Sequence, residues 1–203
     1  MSQHPSQSIS HQDLVILLGL FFAIVLSSFA GFGAECDLLR GHTVRLHILA
    51  NSDAPADQAL KLQVRDRILQ ETGEAFSRPQ TQQEALDTAQ AQLPAIQNAA
   101  QEVLMEQGVE EPVQVRLERC YFTTRQYGNL LLPAGIYDAV QVSIGEGAGK
   151  NWWCVMYPPL CVSTALAEET PAFQEIQELN QQPLFKPKLA IVELLEGLFH
   201  GDE

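Results

Sequence analysis

Twenty-one consecutive residues, Leu14 to Ala34, carry no charge, and this run constrains the chain more than any other feature. As a helix rising 1.5 Å per residue it is about 30 Å long, the thickness of a hydrocarbon core. No later segment approaches it. The run reads as a single transmembrane anchor or a signal-type segment. The competing reading, a buried core helix, fits its length poorly. Ser28-Phe29-Ala30 would permit cleavage after Ala30, because small residues sit at the required offsets. The thirteen residues before the run contain Asp13 and two histidines but no Lys or Arg, whereas Arg40 and Arg45 follow it closely. By charge bias alone, that would weakly favour keeping the body of the protein in the cytoplasm. The expected organisation is a short polar tail (1–13), the apolar segment (14–34) and one domain (35–203), expected to be extracytoplasmic from its even cysteine count despite that bias.

That domain holds 24 of the 25 acidic residues and all 12 basic ones. The chain's formal charge of −13 argues against nucleic-acid binding, which needs a basic footprint, and against a polybasic membrane-surface protein. Hydrophobic residues at 46% exclude a wholly disordered chain. All four cysteines, Cys36, Cys120, Cys154 and Cys161, lie beyond the apolar run. An even number suits an oxidising compartment but allows three pairings. Neither a CxxC motif nor a zinc spacing of histidines occurs, so no metal or other cofactor is expected.

Alternation of Val44, Leu46, Ile48 and Ala50 marks a strand over 44–50, with Arg45 and His47 pointing the other way. Asn51-Ser52-Asp53 offers N-cap oxygens, and Pro55 opens a helix to about Gly73. Asp57, Lys61 and Arg65 repeat every four residues along it. They read either as a solvated ion-pair ladder or as a partly buried charged row meeting a partner. Thr81-Gln82-Gln83-Glu84 is a capping box. It starts a helix with Leu86, Ala89, Leu93, Ile96, Ala100 and Val103 on one stripe, an expected kink at Pro94 and a stop at Gly108. Three further strands are expected: Val113–Phe122, one around Val140, Val142 and Ile144, and Trp152–Tyr157. Short helices follow Thr170-Pro171 and Pro187. Together these predict an α+β fold, with a mixed or antiparallel sheet of about four strands packed against helices on one face.

Gly145-Glu146-Gly147-Ala148-Gly149-Lys150 superficially suggests a phosphate loop. The motif would need Gly where Ile144 stands and Ser or Thr where Asn151 stands, and no helix is expected after it. A tight hairpin accounts for the glycines. A cysteine nucleophile, Cys154 or Cys161 with His42 or His47, lacks any group to orient it. The most unusual stretch is Asn151–Cys161, NWWCVMYPPLC. A disulfide between Cys154 and Cys161 would close a short loop around Tyr157-Pro158-Pro159. The result would be a core plug or a recognition surface. Residue chemistry nominates Trp152, Trp153 and Tyr157 as partner contacts, with Asp57, Lys61 and Arg65 as their polar complement.

Several ordered motifs resemble the stage II sporulation protein R family. They are Arg45-Leu46-His47-Ile48-Leu49-Ala50-Asn51-Ser52-Asp53 with Asp57-Gln58, Leu60-Lys61 and Val64-Arg65-Asp66; Thr123 to Gly128; Leu132-Pro133-Ala134-Gly135-Ile136-Tyr137; and the glycine turn leading into NWWCVMYPPLC. The likeness covers roughly residues 42–165. Arg125 stands where family members often have lysine. The resemblance implies a signalling protein rather than an enzyme. Such a protein is exported from the forespore into the space between the two sporulation membranes. There it would activate a membrane-bound aspartic protease of the mother cell that cleaves the sigma-E precursor. The alternative from residue chemistry is a module binding cell-wall polymer, since aromatic platforms stack on sugars.

Overall fold

The computed structural model describes residues 10–161, 170–182 and 185–199. Helix α1 runs from His11 to Gly41, longer at both ends than the apolar run. Ser10 caps it by accepting from the Asp13 amide, and the Asp13 carboxylate accepts from the Ser10 amide in return. Its first two-thirds stand largely exposed, with Leu14 to Ile24 uncovered. Phe32, Cys36 and Leu39, spaced i, i+4, i+7, are buried in the body of the domain.

Strand β1 (Val44–Leu49) is followed by helices α2 (Pro55–Phe76) and α3 (Gln82–Glu106). Next come β2 (Val113–Phe122), a small hairpin of β3 (Arg125–Tyr127) and β4 (Leu130–Leu132), then β5 (Gly135–Ile144) and β6 (Asn151–Tyr157). Helices α4 (Pro171–Gln181) and α5 (Phe185–Phe199) close the chain. The main sheet has the order β2-β5-β1-β6. It is mixed: β1 lies parallel to β5, while β6 and β2 run antiparallel to their neighbours. The hairpin, with Gly128 at φ +57° in its turn, carries no strong alternation and was not expected from the sequence.

Alternation decides the two faces. Val44, Leu46 and Ile48 share one face with Val140, Val142, Ile144 and Cys154. They pack against Leu60, Val64 and Ile68 of α2 and Ala89, Ile96, Ala100 and Val103 of α3. The alanines on α3 let its backbone approach the sheet closely. α3 runs unbroken through Pro94 and stops at Gly108, whose φ of +68° suits a residue without Cβ. Helices also cover part of the opposite face. Val155 there joins a second apolar cluster with Leu39 of α1, Leu130 and Leu132 of the hairpin, Phe173 and Ile176 of α4, and Phe185 and Leu189 of α5. The expectation of helices on one face only therefore needs correcting. The second layer brings the two terminal helical regions together with the mid-chain hairpin, which local periodicity cannot do.

Candidate partner-binding surface

The β1–α2 turn and the glycine loop before β6 brace each other. Asn51 Oδ1 accepts from the Glu146 amide at 3.0 Å, and Asp53 Oδ1 accepts from the Lys150 amide at 2.7 Å. The Gly149 amide donates to Ala50 O at 2.9 Å and the Ala148 amide to Asn51 O at 3.2 Å. The Gly145 and Gly147 amides donate to Pro112 O and Ile144 O. Every amide from 145 to 150 is thus spent inside the protein, leaving none to cradle a phosphate. A Cβ on Gly149 would collide with the Ser52 carbonyl, and one on Gly145, at φ +57°, with the Asn51 side chain. The glycines are needed for close backbone approach.

The charged row on α2 belongs to this brace rather than to an ion-pair ladder. Asp57 Oδ2 accepts from Ser52 Oγ at 2.6 Å and Asn51 Nδ2 at 3.2 Å. Lys61, only 4% exposed, donates from Nζ to Lys150 O and Gln58 Oε1, both at 2.7 Å. Burial lowers the Lys61 pKa, and nearby Asp53 opposes the shift. Arg65 pairs with Asp66 at 2.6 Å and lays its guanidinium 5.2 Å from the Trp152 ring centre. The expected N-cap by Asn51-Ser52-Asp53 is not made. Ala54 occupies the cap position and the three polar side chains turn to the glycine loop and Asp57.

Strand alternation also splits the aromatic stretch. Trp152, opposite Ile48, lies half-buried on the α2 side. Trp153, opposite His47, lies on the other face. A register shift at the end of β6 then turns Tyr157 into the first core cluster at 0% exposure. Tyr157 is therefore a core residue, and Lys61 is buried against Gln58 and Lys150 O. Neither is available as the contact residue chemistry suggested. Trp152, Trp153, Arg65 and Asp57 remain partly exposed.

The opposite face carries a cluster that sequence reasoning missed. The His47 and Trp153 rings stack at 3.9 Å and 16°, with Phe122 edge-on to Trp153 at 4.6 Å. His47 Nε2 bonds Asn151 Oδ1 at 2.9 Å, and Nδ1 lies 3.4 Å from Gln141 Nε2. These partners suit a neutral ring protonated on Nε2. Desolvation lowers the His47 pKa, with the Asn151 bond and Glu118 pulling it back. Beneath lies Arg45, fully buried. It donates from Nε to Cys154 O at 2.9 Å and from Nη2 to Tyr127 Oη at 2.6 Å. Its guanidinium sits 4.2 Å from the Phe122 ring centre, 4.9 Å from Tyr137 and 5.4 Å from Tyr127. Burial lowers its pKa, while Tyr127 and Tyr137 raise it. The signal was legible: a cation on a central strand, facing away from the apolar side, requires partners.

Cys154 and Cys161 are joined, with their Cα atoms 6.3 Å apart, and the Val155 amide donates to Cys161 Sγ at 3.3 Å. Neither sulfur is a free thiol. Burial and Glu118 push the Cys120 thiol up to about 12. His47 is engaged by Asn151 and Gln141, so the cysteine–histidine arrangement considered from the sequence is not assembled. One face of each indole is occupied, by His47 or by Arg65.

Fold and surface together define a small α+β domain behind a membrane-length helix, its glycine loop locked and its aromatic sheet end displayed. The family model for stage II sporulation protein R matches residues 40–167. Stage II sporulation protein R of Bacillus subtilis (strain 168) is 36% identical over 139 residues, which is 68% of this chain and 62% of that relative. The chain belongs to the stage II sporulation protein R family. It spans about 62% of the length of the curated relative. No solved structure matches it.

Proposed function

We propose that this chain is an exported signalling protein of endospore formation. In this reading it activates a membrane-bound aspartic protease of the mother cell, which then processes the sigma-E precursor. Family membership supports the sporulation role. The observation that carries the ligand reading is the brace. Six consecutive loop amides and a buried lysine are committed to holding Asn151–Trp153 rigidly at the sheet's edge. A preorganised aromatic edge loses little entropy on binding and suits a protein contact. The Cys154–Cys161 bond favours an oxidising compartment. The apolar first two-thirds of α1 fits an anchor or export signal. With 24 acids against 12 bases beyond residue 34, the complementary surface on the protease is basic, and association weakens with salt. For the wall-polymer alternative, His47 or Arg65 covers one face of each indole, which leaves a sugar at most one face to stack on.

The test is co-production of the full chain with the protease and sigma-E precursor in a host without other sporulation proteins. Precursor cleavage is read by immunoblot. Cleavage should require the chain, and Trp153→Ala should reduce it by about tenfold or more, as expected for a buried interface anchor. A folded, membrane-inserted chain that elicits no cleavage overturns the proposal.

A further inference from the structure

Helix α5 is apolar on two faces. Phe185, Leu189 and Val192 pack inward, with Phe185 and Leu189 only 1% and 2% exposed. Pro187, Ile191 and Leu194 repeat at i, i+4, i+7 on the opposite side and are exposed, Ile191 by 46% and Leu194 by 66%. Something apolar should cover that outer stripe, and α1 indicates what it is. α5 meets α1 inside its apolar run. The Lys188 ammonium donates to Ser28 O at 3.3 Å and lies 5.9 Å from the Phe32 ring centre. The Phe32 and Phe185 rings meet edge-on at 5.6 Å.

Length then sets the depth. The part of the run free of α5, residues 14–27, reaches only about 21 Å as a helix, while a hydrocarbon core is about 30 Å thick. Filling the core requires the turns from Ser28 to Ala34 as well, and these are the turns that carry α5. We infer that α5 lies in the lipid interface beside α1, its Pro187-Ile191-Leu194 stripe against acyl chains. Exposed Lys186 flanks the stripe and can reach the headgroups, whereas Lys188 keeps its ammonium on Ser28 O, about 9 Å inside the end of the run. The consequence is mechanical: the domain is held at the bilayer by two elements, which restricts its tilt toward any membrane partner.

This inference rests on α1 spanning the membrane, so the test separates the two. The full chain is reconstituted in phosphatidylcholine–phosphatidylglycerol nanodiscs. Spin labels are introduced through a ketone-bearing amino acid in place of Phe22, Leu194 or Met105, leaving the cysteines intact. Collision with oxygen is compared with collision with a water-soluble nickel chelate. Labels at positions 22 and 194 should both favour oxygen over nickel, and the label at 105, on exposed α3, should favour nickel. A position-194 label that favours nickel while 22 favours oxygen overturns the interfacial helix and leaves the anchor intact. A position-22 label that favours nickel overturns the anchor and this inference with it. A position-194 label shielded from both reagents places protein, such as a second copy, on the stripe and likewise overturns the lipid contact.

Discussion

Replacing Lys61 by Met distinguishes a brace from a contact residue. Methionine keeps the length and apolar character of the side chain but removes its donors. Lys61 is 4% exposed and gives two hydrogen bonds of 2.7 Å, to Lys150 O and Gln58 Oε1. A hydrogen bond from a charged donor contributes about 1.5–3 kcal/mol net, and a buried carbonyl left without a donor costs about 1–3 kcal/mol. Against this, an ammonium no longer has to be desolvated, which refunds part of the loss. The Lys61 ammonium faces polar partners and Asp53 rather than an apolar pocket, so the lost bonds should win by about 2 kcal/mol. For a domain of this size that lowers the melting temperature by about 4–8 °C. Thermal unfolding in detergent measures it. Hydrogen exchange should speed up at the amides of Glu146, Ala148, Gly149 and Lys150, which the brace protects. Precursor cleavage should fall only as far as folded protein is lost. An unchanged melting temperature with abolished cleavage would show Lys61 to be a contact and refute the brace. A raised melting temperature would show that desolvation dominates, which refutes the energetic argument.

Two further predictions concern the same region. Gly149→Ala forces a Cβ onto the Ser52 carbonyl and should cost about 2–3 kcal/mol, whereas Ala148→Ser on the exposed neighbour should stay within about 0.5 kcal/mol; equal melting curves would refute the close approach. His47 has its pKa lowered below 6.5, so the unfolded chain binds its proton first on acidification. Its contribution to stability is therefore present above about pH 6.5 and lost as pH falls through the lower folded value. Unfolding midpoints at successive pH values should decline less for His47→Gln than for the parent, and an unchanged slope would remove His47 from the account.

Part of the site was legible because its signals are local. The strand at Val44, the helix start capped by Thr81 and the Gly108 stop each depend on neighbours a few residues away, although Glu84 accepts from the Gln80 amide and so does not close the expected capping box. The dense motif Asn51-Ser52-Asp53 was visible too, but its purpose was not. An N-cap is the usual use of such residues, but Ser52 turns to Asp57, and the arrival of a loop almost a hundred residues later gives Asn51 and Asp53 other partners. Arg45 and His47 were seen to face away from the apolar side of β1. Phe122, Tyr127, Tyr137 and Trp153, which complete their surroundings, come from four other strands.

By itself, the sequence determined the membrane-length run, the α+β alternation and the excess of acid, because length, periodicity and charge are properties of consecutive residues. Tertiary structure alone decided which groups cover Trp152 and Trp153, that Tyr157 is core, and that Lys61 is buried. The physical reason is that burial and hydrogen-bond pairing belong to whichever segments meet. A side chain with several possible partners takes the one the fold delivers.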